Sequence, residues 1–478
     1  MQARYILRSQ ANISVHTKKM NYYVDESTSL NSLFSFSKNK AEFETLFLAV
    51  FIVSIASVCV GYSIGYTSPY NTEFSKFNDE NVFASLLGLG AMAGLFLGLF
   101  CVEHSGRKNG VLIAVLIYTP GWISIGYFSN KTIIYVGRIL TGIACGFCSL
   151  TVPIYIAEVS SFQFRGRLEA INQIGITVGI FLAFLVGSYC NIKQSATAAL
   201  IVALVMGILI LYIPESPRWL LAKKKRYEAC QALKWLRGNL YDVEDELNNI
   251  ENNLEQRPMA ALYGFRTPGF CRALLYGSIL MFLQQMSGIN AMMFFGQKLF
   301  QMVRIGKIPL VLYLLQVIIT IAACFLINKC GMRKLLMLGA FGMFFCNLLL
   351  GVCFEIFIIP VNNKTMEYHF DNNDKNILEF SNVMFHDSYS WLAFTCFLLF
   401  IGSYSIGWGA IPYLLMSEKS SPHMRSLLCA LVLSVNWLFT FLVTFSFNSL
   451  ISLVRIQGAL WFFSVWCFIS MIFAYYFV

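Results

Sequence analysis

Residues 45–67 read TLFLAVFIVSIASVCVGYSIGYT, twenty-three positions without a charged side chain. As a helix, this stretch is long enough to cross the hydrocarbon core of a bilayer, which takes about 20 apolar residues. It is therefore predicted to be a membrane span. Eleven further runs of the same kind follow, at about 82–102, 110–128, 132–156, 168–190, 196–213, 271–295, 307–327, 335–359, 390–416, 427–450 and 456–477. The composition agrees: 57% of the 478 residues are hydrophobic and 13% charged, whereas soluble chains carry about 25% charged residues. The sequence thus predicts an all-α membrane protein of twelve transmembrane helices, with lipid as its solvent.

The polar segments divide the chain. Residues 1–44 carry too few apolar side chains to build a core and lack the apolar stretch of a cleavable signal, so a disordered cytosolic tail is expected. Spans one to six make an N-terminal bundle over 45–213, and spans seven to twelve a C-terminal bundle over 271–478. Between them, 214–270 is read as a cytosolic linker of short helices, with an amphipathic helix around 227–255. About nineteen Lys and Arg lie on the face that holds this linker and about nine on the other. Basic loops mark the cytosolic side, which places both termini in the cytosol. The same distribution accounts for the net charge of +10 without nucleic acid as a partner. The sequons at Asn130 and Asn363 then fall outside, where glycosylation is expected.

The two halves share landmarks. Glu158 is followed seven residues on by Arg165, and Glu418 by Arg425; the loop Glu103-His104-Ser105-Gly106-Arg107-Lys108 is matched by Asn328-Lys329-Cys330-Gly331-Met332-Arg333. Such an internal repeat points to a rocking architecture with a site between the halves at mid-membrane. Charged groups at helix ends can act as latches, pairing when the cytosolic face closes. The candidates are Glu103, Arg107, Glu158, Arg165, Arg333, Glu418 and Arg425. Arg138, a few residues inside span four, is a costly intramembrane charge that calls for a partner or a role.

Within the spans the polar side chains are mostly neutral: Gln173, Gln284, Gln285, Ser287, Asn290, Gln316, Thr320 and Asn436. Amides donate and accept at once and match hydroxyls without desolvating an ion, so the midplane is suited to an uncharged polyol. Gly288 is expected to break span seven beside its amides. Phe294, Phe295, Tyr413 and Trp437 offer rings for the apolar face of such a ligand. All five His lie in the tail and loops, Glu355 is a mid-span acid facing an unknown side, and of the 14 Cys the one close pair, Cys145 and Cys148, lies inside a span with no second pair nearby. No cofactor, metal or catalytic constellation is expected.

Four motifs carry a resemblance: Pro153-Ile154-Tyr155-Ile156-Ala157-Glu158, Arg165-Gly166-Arg167, Pro214-Glu215-Ser216-Pro217-Arg218 and Gln284-Gln285-Met286-Ser287-Gly288-Ile289-Asn290. Together they resemble the signatures of the sugar porters of the major facilitator superfamily, a group that includes animal glucose facilitators and insect trehalose transporters. The resemblance implies the major facilitator fold, two six-helix bundles related by a pseudo-twofold axis, and a multi-pass protein of the plasma membrane. It implies sugar contacts at Gln173, Gln284, Gln285, Asn290 and Gln316, to which Tyr413 and Asn436 are added as candidates. Departures are also visible. The span-ten motif reads Gly409-Ala410-Ile411-Pro412-Tyr413, one proline short, and Ser405 stands where relatives often carry an acid. Phe294 and Phe295 replace a tyrosine pair, and Asn328 and Met332 weaken the second latch. Ser63 takes the place of the span-one aspartate of proton-coupled sugar porters. The expected function is facilitative sugar transport, of a hexose or trehalose, by alternating access. Proton symport and a non-transporting sugar receptor are the alternatives.

Overall fold

The computed structural model describes residues 44–70, 80–160, 165–238, 242–255, 268–302, 309–360, 383–385, 389–419 and 424–478. Asn363, the tail before residue 44, and the side chains of Arg165, Asn328 and Glu418 lie outside the described residues. The first half contains spans Glu44–Tyr70, Glu80–Ser105, Arg107–Tyr127, Lys131–Val159, Arg165–Tyr189 and Ile192–Leu209. In the second half, span seven is a bent pair, Pro268–Met286 and Ile289–Met302, with 42° between its arms. Pro309–Cys330 and Met332–Phe357 follow, then the tenth span, Ser390–Met416. The last helix, Arg425–Phe477, has 53 residues and a break at Arg455 (φ 60°, ψ 175°). At 1.5 Å per residue it is roughly 80 Å long, far more than one bilayer crossing. It is therefore spans eleven and twelve joined without a loop, which brings the total to twelve.

Each break has a local cause. At Gly288 the backbone is left-handed (φ +87°), and a Cβ there would stand 2.7 Å from the Phe463 ring. Span ten departs from α geometry over Tyr404–Trp408, a π-helical turn in which Gly409 N–H donates to the Tyr404 carbonyl at 2.9 Å. The turns after spans two and eight both pass through a left-handed glycine, Gly106 (φ 102°) and Gly331 (φ 81°), so the sequence repeat is a repeat of backbone conformation too. Close packing in the first half rests on small residues. Gly90 and Gly94 of span two face Gly142 and the backbone of span four, so that a Cβ on Gly94 would lie 2.2 Å from the Ile143 carbonyl.

The halves meet along two seams. Span two packs on the span-eleven segment, with Gly88 against Trp437 and Phe441. Span five packs on span eight, where Phe184 stacks on Tyr313 at 3.7 Å. The amphipathic helix expected over 227–255 is two helices, Arg226–Arg237 and Glu244–Glu255, because Gly238 (φ 88°) ends the first in a conformation a helix cannot continue. A shorter helix, Pro217–Ala222, precedes them. The group docks on the first half, since Arg237 donates to the Val159 carbonyl at 3.1 Å and forks onto Glu246 at 2.9 and 3.2 Å. On the opposite face, Ile358–Pro360 and Val383–Phe385 pair as a short antiparallel hairpin.

Gly288→Ala is expected to destabilise the protein by about 1–3 kcal/mol, since a non-glycine residue must hold a left-handed backbone against a ring. Thermal unfolding in detergent is the check; a variant with the wild-type midpoint would remove the strain argument.

Candidate functional site

The seven polar residues singled out from the sequence, Gln173, Gln284, Gln285, Asn290, Gln316, Tyr413 and Asn436, all line one cavity of about 790 Å³ between the halves. Span one contributes Ser57, Val60 and Ile64, span four Cys148 and Ser149, and span five Asn172, Gln173, Ile176 and Ile180. From the second half come both arms of span seven, Gln316 of span eight, Tyr404 and Tyr413 of span ten, and Asn436, Trp437 and Thr440 of span eleven. No carboxylate, Lys, Arg or His is among these lining residues.

The amides are organised by one another. Gln285 Nε2 donates to Asn436 Oδ1 at 2.5 Å, while Asn290 Nδ2 donates to Gln285 Oε1 and, at 3.0 Å, to Thr440 Oγ1. Gln284 Nε2 donates to the Trp408 carbonyl at 2.6 Å and to Tyr404 Oη at 3.1 Å. The side-chain oxygens Oε1 of Gln284 and Gln316 are buried and have no hydrogen-bond partner among the described residues. Leaving such an acceptor unsatisfied costs about 1–3 kcal/mol, a cost a ligand hydroxyl would remove. Across the cavity, Ser57 Oγ bonds Asn172 Oδ1 at 2.6 Å.

Several sequence expectations are corrected. Phe294 and Phe295 do not line the cavity; both are fully buried, and Phe295 stacks on Phe447 at 5.0 Å. Trp437 does line it. Ser405 is turned away, its hydroxyl bonded to the Ile401 carbonyl at 2.8 Å, and its neighbour Tyr404 faces the cavity instead. Glu355 is not a midplane acid: it lies two residues from the end of its helix, exposed, and accepts from Gln457 at 2.6 Å. Sequence reasoning missed Asn172, Tyr404 and Thr440. Thr440 stands one helical turn after Asn436 and was readable from that spacing, whereas Tyr404 depends on the π-helical turn and was not.

Arg138 is fully buried and is solvated by the protein. Its guanidinium donates to the Ser63 carbonyl at 2.9 Å, Thr67 Oγ1 at 2.6 Å and the Phe83 carbonyl at 3.3 Å, and lies 4.9 Å over the Phe83 ring. Among the described residues no carboxylate pairs with it. Ser63, in the position of the acid, turns its own hydroxyl onto the Cys59 carbonyl at 2.9 Å.

Of the charges named as latch candidates, Glu103, Arg107 and Glu158 form one cluster. Arg107 forks onto Glu158 with two bonds of 2.9 Å and reaches Glu103 at 3.4 Å, all within the first half. Glu215 completes the cluster by accepting the backbone N–H groups of Arg107 and Lys108 at 2.9 and 3.0 Å; burial raises its carboxyl above the usual range, opposed by those N–H bonds. The Gly106 turn makes room, since a Cβ there would meet Glu215 Oε2 at 2.3 Å. Among the described residues its repeat partner has no such set. Met332 replaces Arg107, and Arg333 bonds the Tyr475 carbonyl and lies over the Tyr475 ring at 5.3 Å. Arg425 is buried and lines a second cavity of about 550 Å³ together with Glu169 of the first half. Asn130 is exposed and caps span four by accepting from Thr132 N–H at 2.9 Å.

Arg107→Ala is expected to cost roughly 3 kcal/mol, because it strands the nearly buried Glu158 carboxylate without its cation. Arg107→Lys is expected to recover part of this, having lost the fork. Unfolding midpoints of the two variants in detergent test the order; equal midpoints for both and wild type would contradict it.

Residues 49–478 match the family model described as sugar (and other) transporter. The chain is 31% identical over 440 residues to the facilitated glucose transporter member 8 of Bos taurus, covering 90% of each protein. It is 30% identical over 446 residues to the facilitated trehalose transporter Tret1 of Bombyx mori, covering 91% of this chain and 84% of that one. Among solved structures, the proton:xylose symporter XylE bound to 6-bromo-6-deoxy-D-glucose superposes with a TM-score of 0.74 at 20% identity, covering 91% of this chain and 96% of that one. A partially occluded inward-open conformation of XylE from E. coli gives 0.73 at the same identity, covering 91% and 98%. Twelve spans in two packed halves, an uncharged cavity between them and these similarities lead to one assignment: the chain is a multi-pass membrane protein of the major facilitator fold and belongs to the sugar (and other) transporter family.

Proposed function

We propose that the chain carries a neutral sugar, a hexose or trehalose, down its gradient by alternating access. The observation that carries this reading is the lining of the central cavity, built from amides, hydroxyls, aromatic rings and apolar side chains with no ionisable carboxylate. Such a surface suits hydroxyl groups and offers no site on which a driving proton could ride. The facilitated glucose and trehalose transporters among the relatives support the choice of substrate. Although the structural relative is a proton:xylose symporter, Arg138 here is held by carbonyls and Thr67, with Ser63 in the acid's place. A buried cation already satisfied in this way has no need of an aspartate that gains and loses a proton.

In this reading Gln173, Gln284, Gln285, Asn290, Gln316, Tyr413 and Asn436 contact the sugar. Glu103, Arg107 and Glu158 brace the cytosolic end of the first half, and Arg165, Glu418 and Arg425 act where the halves close on that side. The halves, 45–213 and 271–478, rock about the cavity, joined by the linker 214–270. Both termini, with the tail 1–44, are cytosolic, the membrane is the plasma membrane, and Asn130 and Asn363 face outward.

Purified protein in liposomes is expected to take up labelled glucose, fructose or trehalose saturably, at the same rate with and without an inward proton gradient at fixed voltage. A several-fold rise with the gradient would replace uniport by symport; binding without flux would make the protein a receptor. Gln284→Ala is expected to weaken binding roughly ten-fold, since it removes a buried hydrogen-bonding group.

A further inference from the structure

The orientation of the Gln284 amide is set by the broken backbone of span ten. In an α-helix the Trp408 carbonyl would accept from the N–H four residues on, but that residue is Pro412, which has none. Gln284 Nε2 approaches this carbonyl at 2.6 Å and Tyr404 Oη at 3.1 Å. A carbonyl only accepts, so the group against it must be the amide nitrogen rather than the oxygen. With both amide hydrogens engaged, Gln284 turns Oε1 to the cavity, where it is buried and has no partner among the described residues.

We infer that Tyr404 and the Trp408 carbonyl freed by Pro412 lock Gln284 as a pure acceptor, so that the ligand group seated on it must be a hydroxyl that donates. Tyr404 is thus a positioning residue for Gln284. Having accepted from the amide, its own O–H is left to donate, and the pair presents an acceptor beside a donor, a pattern met by adjacent hydroxyls of a neutral sugar. A carboxylate or phosphate in the same place would set negative oxygens against the Oε1 atoms of Gln284 and Gln316. This inference rests on the sugar-transport reading.

The test is equilibrium binding to the purified full chain, using the sugar among glucose, fructose and trehalose that binds, together with its monodeoxy and monofluoro analogues. Fluorine can accept weakly but cannot donate. The hydroxyl seated on Gln284 is the one whose removal weakens binding to the wild type but not to Gln284→Ala; Gln284→Met, closer in volume, serves where the alanine variant does not fold. At that position the deoxy and fluoro analogues are expected to lose affinity equally, by about ten-fold. In the double variant Tyr404→Phe, Pro412→Ala, which removes one partner and supplies Trp408 with a backbone N–H, the fluoro analogue is expected to bind several-fold tighter than the deoxy one. A fluoro analogue that already binds tighter in the wild type overturns the acceptor orientation. Equal losses in both proteins overturn the role given to Tyr404 and Trp408. Absence of saturable binding by any of the three sugars overturns the transport reading and this inference with it.

Discussion

In a bilayer core no water is present to satisfy a peptide group, so every break in a spanning helix must find its own hydrogen-bond partners. The breaks of this protein are where its site is. Gly288 interrupts span seven, and the freed Ser287 carbonyl is taken by Asn347 Nδ2 at 3.3 Å from span nine. Span ten is interrupted by the π-helical turn and Pro412, and the Trp408 carbonyl is taken by Gln284. Gln284, which lines the cavity, is therefore also one of the groups that make irregular backbone tolerable at that depth. Site and scaffold are held by the same bonds, and a cavity lined by neutral groups is what such capture produces.

The two halves share a repeat but are stabilised differently. In the first, small residues bring spans two and four into backbone contact, and Arg107, Glu158 and Glu215 tie the helix ends to the linker. In the second, Met332 removes the corresponding cation, the spans are bent or broken at Gly288 and Tyr404–Trp408, and Arg333 binds the end of the last helix. Strong internal ion pairing favours a half that moves as a rigid body, whereas helix breaks beside the cavity are where small backbone rotations are cheapest. Ala410, where the span-ten motif is one proline short, follows the π-helical turn Tyr404–Trp408 by two residues.

The charge cluster around Arg107 shows how connections between residues escape a linear reading. Glu103, Arg107 and Glu158 were readable as charges at span ends because they flank apolar runs. That Arg107 closes on Glu158 within one half, and that Glu215 is held by backbone N–H groups rather than by a cation, depended on the left-handed Gly106 turn bringing residue 215 beside residue 107. Glu355 was misread for a related reason. An acid inside an apolar run has no depth until the helix ends are located, and its helix ends two residues later.

The spans, the repeat and the identity of the polar residues that line the cavity were determined by the sequence alone. Lipid imposes a length and a polarity on each span, and these are local properties that a linear pattern records. Only the tertiary structure decided which atoms of those residues face the cavity, that Tyr404 rather than Ser405 points inward, and that Arg138 is solvated by carbonyls. These outcomes depend on contacts between residues separated by 70 or more positions, such as Arg138 with Ser63 and Gln284 with Trp408. An amide has two faces of opposite hydrogen-bonding sense, and which one it turns to a ligand is set by the partner that takes the other.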